Sequence, residues 1–328
     1  MKIISHQPGG GPESLELIEA PVPQPGPGEA RIQVAYAGVN RPDILQRLGL
    51  YPPPPGASPH LGLEVSGVVS AVGEGVDPSL LGQAVCSLTP GGGYAEEVLV
   101  PASHCMPVPT GLGLREAACL PETMMTVWAN LIERGQLMPG QSVLIHGGSS
   151  GIGTTALQFA RWAGASRILT TVGSPEKAEA CRALGADRCI QYRDEDFVEV
   201  VLAETHGEGV NLILDMVGGD YIYKNLKCLA LEGRLVQIAF LSGAKVEMNW
   251  ELLMRKRLTY TGSTLRPRSI EEKARIAMSL QQAIWPEISA GRIMPLVHAE
   301  FDLSQASAAH ALMESSQHVG KIVLKVNV

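Results

Sequence analysis

Ser142-Val-Leu-Ile-His146 runs into Gly147-Gly148-Ser149-Ser150-Gly151-Ile152-Gly153, and a helical pattern opens at Thr154. A short apolar run, a glycine-rich turn and a helix are the parts of a loop that cradles a pyrophosphate. Glycine lets the backbone turn tightly and approach the phosphates, and the helix N-terminus offers free N–H groups and partial positive charge. The strict G-x-G-x-x-G spacing is not met. Gly148 and Gly153 fit it, but Ser150 holds the middle position and Gly151 follows it. A glycine-rich turn alone is weak evidence, so the reading depends on what surrounds this one. The candidate dinucleotide loop is Gly148, Ser149, Ser150, Gly151, Ile152 and Gly153.

Around it the sequence alternates regularly. Strand-like runs at 142–146, 168–172, 189–192, 212–217, 235–240 and 258–263 alternate with helix-compatible segments at 154–163, 175–184, 197–205 and 221–230. Six buried strands joined by helices predict an α/β fold with a doubly wound parallel sheet of the Rossmann type. Before about residue 120 the sequence is strand and turn. Residues 30–39 alternate in part, Val65 to Val72 run into Gly73-Glu-Gly75, and a third run follows Gly91-Gly-Gly93. Pro52 to Pro55 must be loop, because four successive residues lack a backbone donor. These features predict a small, irregular β-barrel. After residue 265 come two helices, 270–288 and 304–315, and a strand at 320–326, placed as if the tail returns to the first domain. The expected division is 1–122 with 266–328 as one domain and 123–265 as the other.

Composition agrees. At roughly 100–200 residues per domain, 328 residues make two domains. With 45% hydrophobic and 18% charged residues the chain can bury a sizeable core. A net charge of −7 argues against nucleic acid as the main partner. No unbroken apolar run is long enough to predict a transmembrane helix, and the opening Met-Lys-Ile-Ile-Ser-His-Gln-Pro-Gly-Gly predicts no secretory signal. The six cysteines (86, 105, 119, 181, 189 and 228) form no Cys-x-x-Cys pair and are expected as reduced thiols in a cytoplasmic protein.

The end of the second Rossmann strand bears on which dinucleotide binds. An NAD site places Asp or Glu there for the ribose 2′-hydroxyl. Here Gly173-Ser174-Pro175-Glu176-Lys177 follows the strand, and Ser174 and Lys177 suit a 2′-phosphate instead. Ser174 also reads as the N-cap of a helix with Pro175 at its first position. That reading leaves Lys177 unexplained, since a cation in the first turn opposes the helix dipole. The cofactor expected is NADPH. Tyr192, at the end of the third strand, reads either as a platform under the adenine or as core. Val217, Phe240, Leu241, Ser263, Thr264 and Leu265 follow later strands, where such sheets place ligands, and form an expected nicotinamide half-site.

Several stretches together resemble the medium-chain dehydrogenase/reductase superfamily over essentially the whole chain. They are Ala37-Gly-Val-Asn-Arg-Pro-Asp43, Leu61-Gly-Leu-Glu-Val-Ser-Gly67, the segment from Pro121 to Trp128, the glycine loop, and Val319-Gly-Lys-Ile-Val323. The resemblance implies a GroES-like barrel domain completed by the C-terminal segment, a Rossmann domain, and a substrate cleft between them. Zinc alcohol dehydrogenases of the superfamily carry Cys where this chain has Asn40, and Gly-His-Glu where it has Gly62-Leu63-Glu64. Leucine cannot ligate zinc and the four-cysteine lobe is missing, so no metal is expected. The pattern is similar to the zinc-free quinone oxidoreductase branch, within it the tumour-suppressor-inducible subgroup, through Leu50–Ser58, Val210–Asp215 and Leu226–Arg234. That implies NADPH dependence, a quinone substrate and a homodimer or homotetramer.

A quinone is already electrophilic and needs orientation more than polarisation. The residues expected on the acceptor side are Asn40, through its amide, and Tyr51, through its ring or hydroxyl; Asn40 also reads as the cap of a turn, and Tyr51 as an anchor for the proline loop. Thr126 matches a superfamily threonine near the nicotinamide, and Lys321 is a candidate for a cofactor phosphate. Glu64 reads as a buried, paired carboxylate. Two other readings stand beside quinone reduction: reduction of activated C=C bonds, with Tyr51 as proton donor, and NADPH binding without catalysis.

Overall fold

The computed structural model describes residues 1–326; the final two positions of the C-terminal segment, Asn327 and Val328, lie outside the described residues. The chain divides into two compact units. One is Met1–Met125 with the chain from Arg266 onward, and the other is Thr126–Leu265. Among the described residues no helix is long and apolar enough to cross a membrane.

The strands of the chain are, in order, β1 (Lys2–Ser5), β2 (Glu16–Glu19), β3 (Glu29–Val39), β4 (Glu64–Val72), β5 (Ala84–Leu88), β6 (Glu97–Pro101), β7 (Met106–Pro107), β8 (Ser142–Ile145), β9 (Arg167–Val172), β10 (Arg188–Gln191), β11 (Val210–Asp215), β12 (Leu229–Gln237), β13 (Thr259–Gly262), β14 (Val297–Asp302) and β15 (Lys321–Lys325). In the first unit β1 and β2 pair as a ribbon, and a seven-stranded sheet runs β14-β15-β3-β4-β5-β7 with β6 also on β3. The eleven-residue β3 is the hub, pairing antiparallel with β4, β6 and β15. Its Ile32, Val34, Ala37 and Val39 are buried in one cluster with Val65, Val69, Tyr94, Val100 and Leu324. The helix Ala306–Ser315 adds Ala306, Ala309 and Met313 to that core. The long helix expected at 270–288 is two helices, Ile270–Ala283 and Trp285–Ser289. Pro286 lacks an N–H and crowds the preceding turn, so the first helix stops before it.

In the second unit six strands pair in parallel in the order β10-β9-β8-β11-β12-β13. This is the doubly wound order, in which the direction of winding reverses between β8 and β11 and opens a crevice at the strands' carboxyl ends. The strand interiors are buried: Val143, Leu144, Ile145, Ile168, Leu169, Leu212, Ile213 and Leu235 are 0% exposed. The helix after the glycine loop spans Gly151–Trp162, three residues earlier than its apolar spacing predicts.

The β3–β4 ladder tolerates no side chain at Gly67. A Cβ built there would lie 2.0 Å from the Gln33 carbonyl oxygen on the neighbouring strand. We expect Gly67→Ala to destabilise the protein by about 1–3 kcal/mol, seen as a midpoint several degrees lower in thermal denaturation. An unchanged midpoint would mean that the two strands can move apart there.

Candidate active site

The glycine loop closes on itself. Ser150 is the N-cap of the helix: its hydroxyl accepts from the Gly153 N–H at 2.9 Å and donates to the Gly147 carbonyl at 2.8 Å. This explains the serine in the middle of the glycine pattern, because the hydroxyl satisfies an N–H that a glycine would leave bare. The N–H groups of Gly151 and Ile152, in the same first turn, have no acceptor within the helix. Two glycines are required by space. A Cβ at Gly148 would lie 2.1 Å from Thr170 Oγ1, and one at Gly153 would lie 2.3 Å from the Gly147 carbonyl oxygen. A backbone surface bare of side chains at the start of a twelve-residue helix fits the pyrophosphate of a dinucleotide.

Behind the loop a buried polar chain fixes the strand ends. His146 faces Thr171 Oγ1 at 3.1 Å through Nδ1 and Asn225 Oδ1 at 2.7 Å through Nε2. Asn225 donates to Asp215, whose other oxygen accepts from the Val217 N–H at 2.6 Å. Asp215 thereby holds the turn that presents Val217. Phe240 and Leu241, after β12, are 46% and 50% exposed, whereas the Leu265 side chain is buried. Thr126 and Ser263 are joined through Asn130, which the sequence reading passed over. The Asn130 amide donates to the Thr126 carbonyl at 2.9 Å, and its oxygen accepts from the Ser263 hydroxyl at 2.7 Å. Asn130 lies in a π-helical turn, Trp128–Arg134, a rare form that often marks functional segments.

At the end of β9 Ser174 caps the helix Pro175–Ala183, accepting from the Lys177 N–H at 3.4 Å. Burial, and then repulsion from Arg193, lowers the Lys177 pKa. Two cations held against each other beside a capping hydroxyl suit a doubly charged anion. Arg193, which the sequence analysis does not name, is thus the residue it missed here. Tyr192 is 45% exposed rather than core. A Cβ at Gly173 would come within 3.0 Å of its hydroxyl, so the glycine keeps that phenol close to the strand end.

The first unit carries the acceptor-side candidates, and two expectations are corrected. Asn40, expected to offer its amide to the acceptor, is 6% exposed and its amide is occupied. Nδ2 donates to Glu64 at 2.9 Å and to the Gly38 carbonyl at 3.4 Å, while Oδ1 accepts from Lys321 at 2.6 Å. Lys321, expected near a cofactor phosphate, is 4% exposed. Its ammonium donates to Asn40, to Glu64 at 2.6 Å and to the Val39 carbonyl at 3.1 Å. An ammonium has three donors, and none remains for a phosphate. Burial opposes its charge, yet Glu64 and the other groups around it hold the Lys321 pKa above the ordinary lysine value. The zinc that the family resemblance brings to mind does not fit this donor set, because Leu63 offers no ligand and the lysine lies between Asn40 and Glu64.

Tyr51 is partly buried, and the Arg266 guanidinium lies 5.5 Å from its ring centre. Burial and the nearby Glu122 raise the Tyr51 pKa, with Arg266 opposing. Burial and repulsion from Glu64 bring Glu122 itself up to about 7. Sequence reading named neither Arg266 nor Glu122.

Two outcomes follow from these contacts. Lys321→Met leaves Glu64 buried without its cation and should cost about 3–5 kcal/mol in urea unfolding; adding Glu64→Gln should recover part of the loss. Lys177→Ala should weaken NADPH binding about 10–100-fold while leaving NADH affinity unchanged, as titrated by nicotinamide fluorescence.

Residues 26–110 match the family model of alcohol dehydrogenase GroES-like domains, and residues 151–280 match that of zinc-binding dehydrogenases. A 2-haloacrylate reductase from Burkholderia is 34% identical over 331 residues, covering 99% of this chain and 98% of that protein. A mycocerosic acid synthase-like polyketide synthase of Mycobacterium tuberculosis is 30% identical over 318 residues, and the chain spans only 15% of its length. Among solved structures, Escherichia coli quinone oxidoreductase complexed with NADPH superposes with a TM-score of 0.89 at 29% identity, covering 99% of this chain and 100% of that one. Fold, glycine loop and likeness over its whole length agree: the chain belongs to the medium-chain dehydrogenase/reductase superfamily.

Proposed function

We propose that the protein is an NADPH-dependent quinone reductase that works without a metal. The observation that carries this reading is the Asn40–Lys321–Glu64 cluster. At the positions where zinc relatives bind their metal, this chain has side chains that bind one another. An alcohol or simple ketone needs a Lewis acid to hold the charge on its oxygen. A quinone needs no metal for this and can rely on hydrogen-bond donors, because reduction turns it into an aromatic, delocalised phenolate.

When bound, NADPH supplies a hydride. The remaining work falls to the chain's own residues. Gly148 to Gly153 receive the pyrophosphate, and Ser174, Lys177, Tyr192 and Arg193 receive the 2′-phosphate. The Asn130 bonds to Thr126 and Ser263 hold the nicotinamide half-site in place. Tyr51 offers an aromatic face to a flat acceptor. Asn40 and Lys321 act at one remove: they position the helix start Arg41–Arg47 and the strand β15 on Glu64 without touching the acceptor. All six cysteines are free thiols, the state that a reducing compartment such as the cytoplasm maintains.

A second reading, reduction of an activated C=C bond, is favoured by the full-length likeness to a 2-haloacrylate reductase and by Tyr51 as a possible proton donor. The initial rate of NADPH oxidation, followed by nicotinamide absorbance with an ortho-quinone and a simple enone in parallel, decides between them. We expect turnover of the quinone, unaffected by a chelator and slower with NADH. Turnover of the enone alone would replace this reading with the second.

A further inference from the structure

Arg266 is placed in an unusual way for a half-buried arginine. Its Nη2 donates to the Pro90 carbonyl at 3.3 Å, but Nε and Nη1 are both buried with no acceptor. Burial lowers its pKa, with Asp43, then Tyr51 and Glu122 opposing, and among the described residues no hydrogen bond joins either carboxylate to it. Asp43 is already committed: its oxygens accept from the N–H groups of Gly62 and Asn40, each at 2.9 Å, and from the Tyr94 hydroxyl at 3.2 Å. Lys273 adds a second cation beside Arg266 and donates to its backbone carbonyl at 2.7 Å. A buried guanidinium with two idle N–H groups is costly, and native folds rarely leave such donors unmet. The Tyr51 ring lies 5.5 Å from the guanidinium carbon, within reach of a cation–π contact.

We propose that Arg266 is a catalytic residue whose Nε–H and Nη1–H receive the acceptor's carbonyl oxygen as it takes on negative charge. The proposal rests on the quinone-reductase reading and names the group that stabilises the reduced product. Hydride from NADPH brings two electrons and one proton to the quinone, leaving the hydroquinone monoanion. One further proton from solvent completes the hydroquinone, and NADP⁺ is left. The monoanion's oxygen is the negative acceptor that the two donors lack in the free protein. Donors aimed beforehand at developing charge act on the transition state more than on substrate binding.

Three measurements test this. The first needs no variant: 4-nitrophenol is titrated in the presence of excess wild-type protein, and its yellow phenolate form is followed against pH. We expect bound 4-nitrophenol to ionise about one pH unit lower than free; no shift would overturn the proposal. The second compares kcat and KM for a quinone in wild type, Arg266→Lys and Arg266→Ala. We expect kcat to fall about 10²–10³-fold in Arg266→Ala, with KM and NADPH affinity little changed. The third adds free guanidinium ion to Arg266→Ala, which should restore part of the lost rate. A purely structural arginine would also lose activity, but without the nitrophenolate shift in wild type and without rescue, and that pattern would overturn the proposal. Wild-type turnover of quinone with Arg266→Ala unimpaired would sink the role of Arg266 and leave the function standing. If wild type reduced no quinone yet still shifted nitrophenol, the quinone reading would fail and the oxyanion site would stand.

Discussion

A carboxylate taken out of water is tolerable only if every lone pair facing the protein finds a donor and its charge finds a partner. Glu64, 0% exposed, meets both conditions through segments far apart in sequence. Lys321 of β15 supplies the charge, the Asn40 amide comes from the turn after β3, and the Glu122 N–H at 2.8 Å comes from the start of the helix Pro121–Val127. Gly38 must be glycine because a Cβ there would lie 2.2 Å from the carboxylate. The arrangement does for these segments what a bound metal does for its ligands: one compact charge sets the positions of several strands and loops at once. Burial and repulsion from Glu64 raise the pKa of Glu122, whereas burial raises that of Asp43 against the opposing pull of its hydrogen bonds and of Lys321.

The second unit is built on another principle. Here the backbone makes the surface of the loop and the side chains shape it. Ser150, Asp215 and Asn225 are each committed to main-chain or internal partners around the loop and the strand ends. At the end of β9 Lys177 and Arg193 repel one another, an arrangement suited to an anion.

The parallel sheet was legible in the sequence because its central strands β8, β9 and β11 are largely buried and read as mostly apolar runs, although the edge strand β13 is not buried. Its helix starts were legible less well: the cap at Ser150 moves the start of the first helix ahead of its apolar spacing. In the first unit β14 escaped the reading because its alternating burial includes exposed Glu300 and His298, and β1 and β2 are four-residue strands. The candidate site divides the same way. The phosphate loop, Ser174 and Lys177 were named from local pattern, and Tyr51 with the family resemblance. Arg266, Glu122, Asn130 and the true role of Lys321 were not, because their meaning lies in partners 100 or more residues distant in most cases, as with Lys321 and Glu64 at 257. A lone lysine near a chain end gives no local sign that it neutralises a carboxylate in β4.

That separation of 257 residues has a consequence for synthesis. On a ribosome adding about 5–20 residues per second, Glu64 emerges roughly 13–50 s before its counter-ion exists. During that interval the second unit, Thr126–Leu265, is completed as one continuous stretch, while β3 still lacks β15 on one edge. The nascent protein thus carries an unneutralised acid and an open strand edge until β15 emerges, and the first unit closes only after the second is complete.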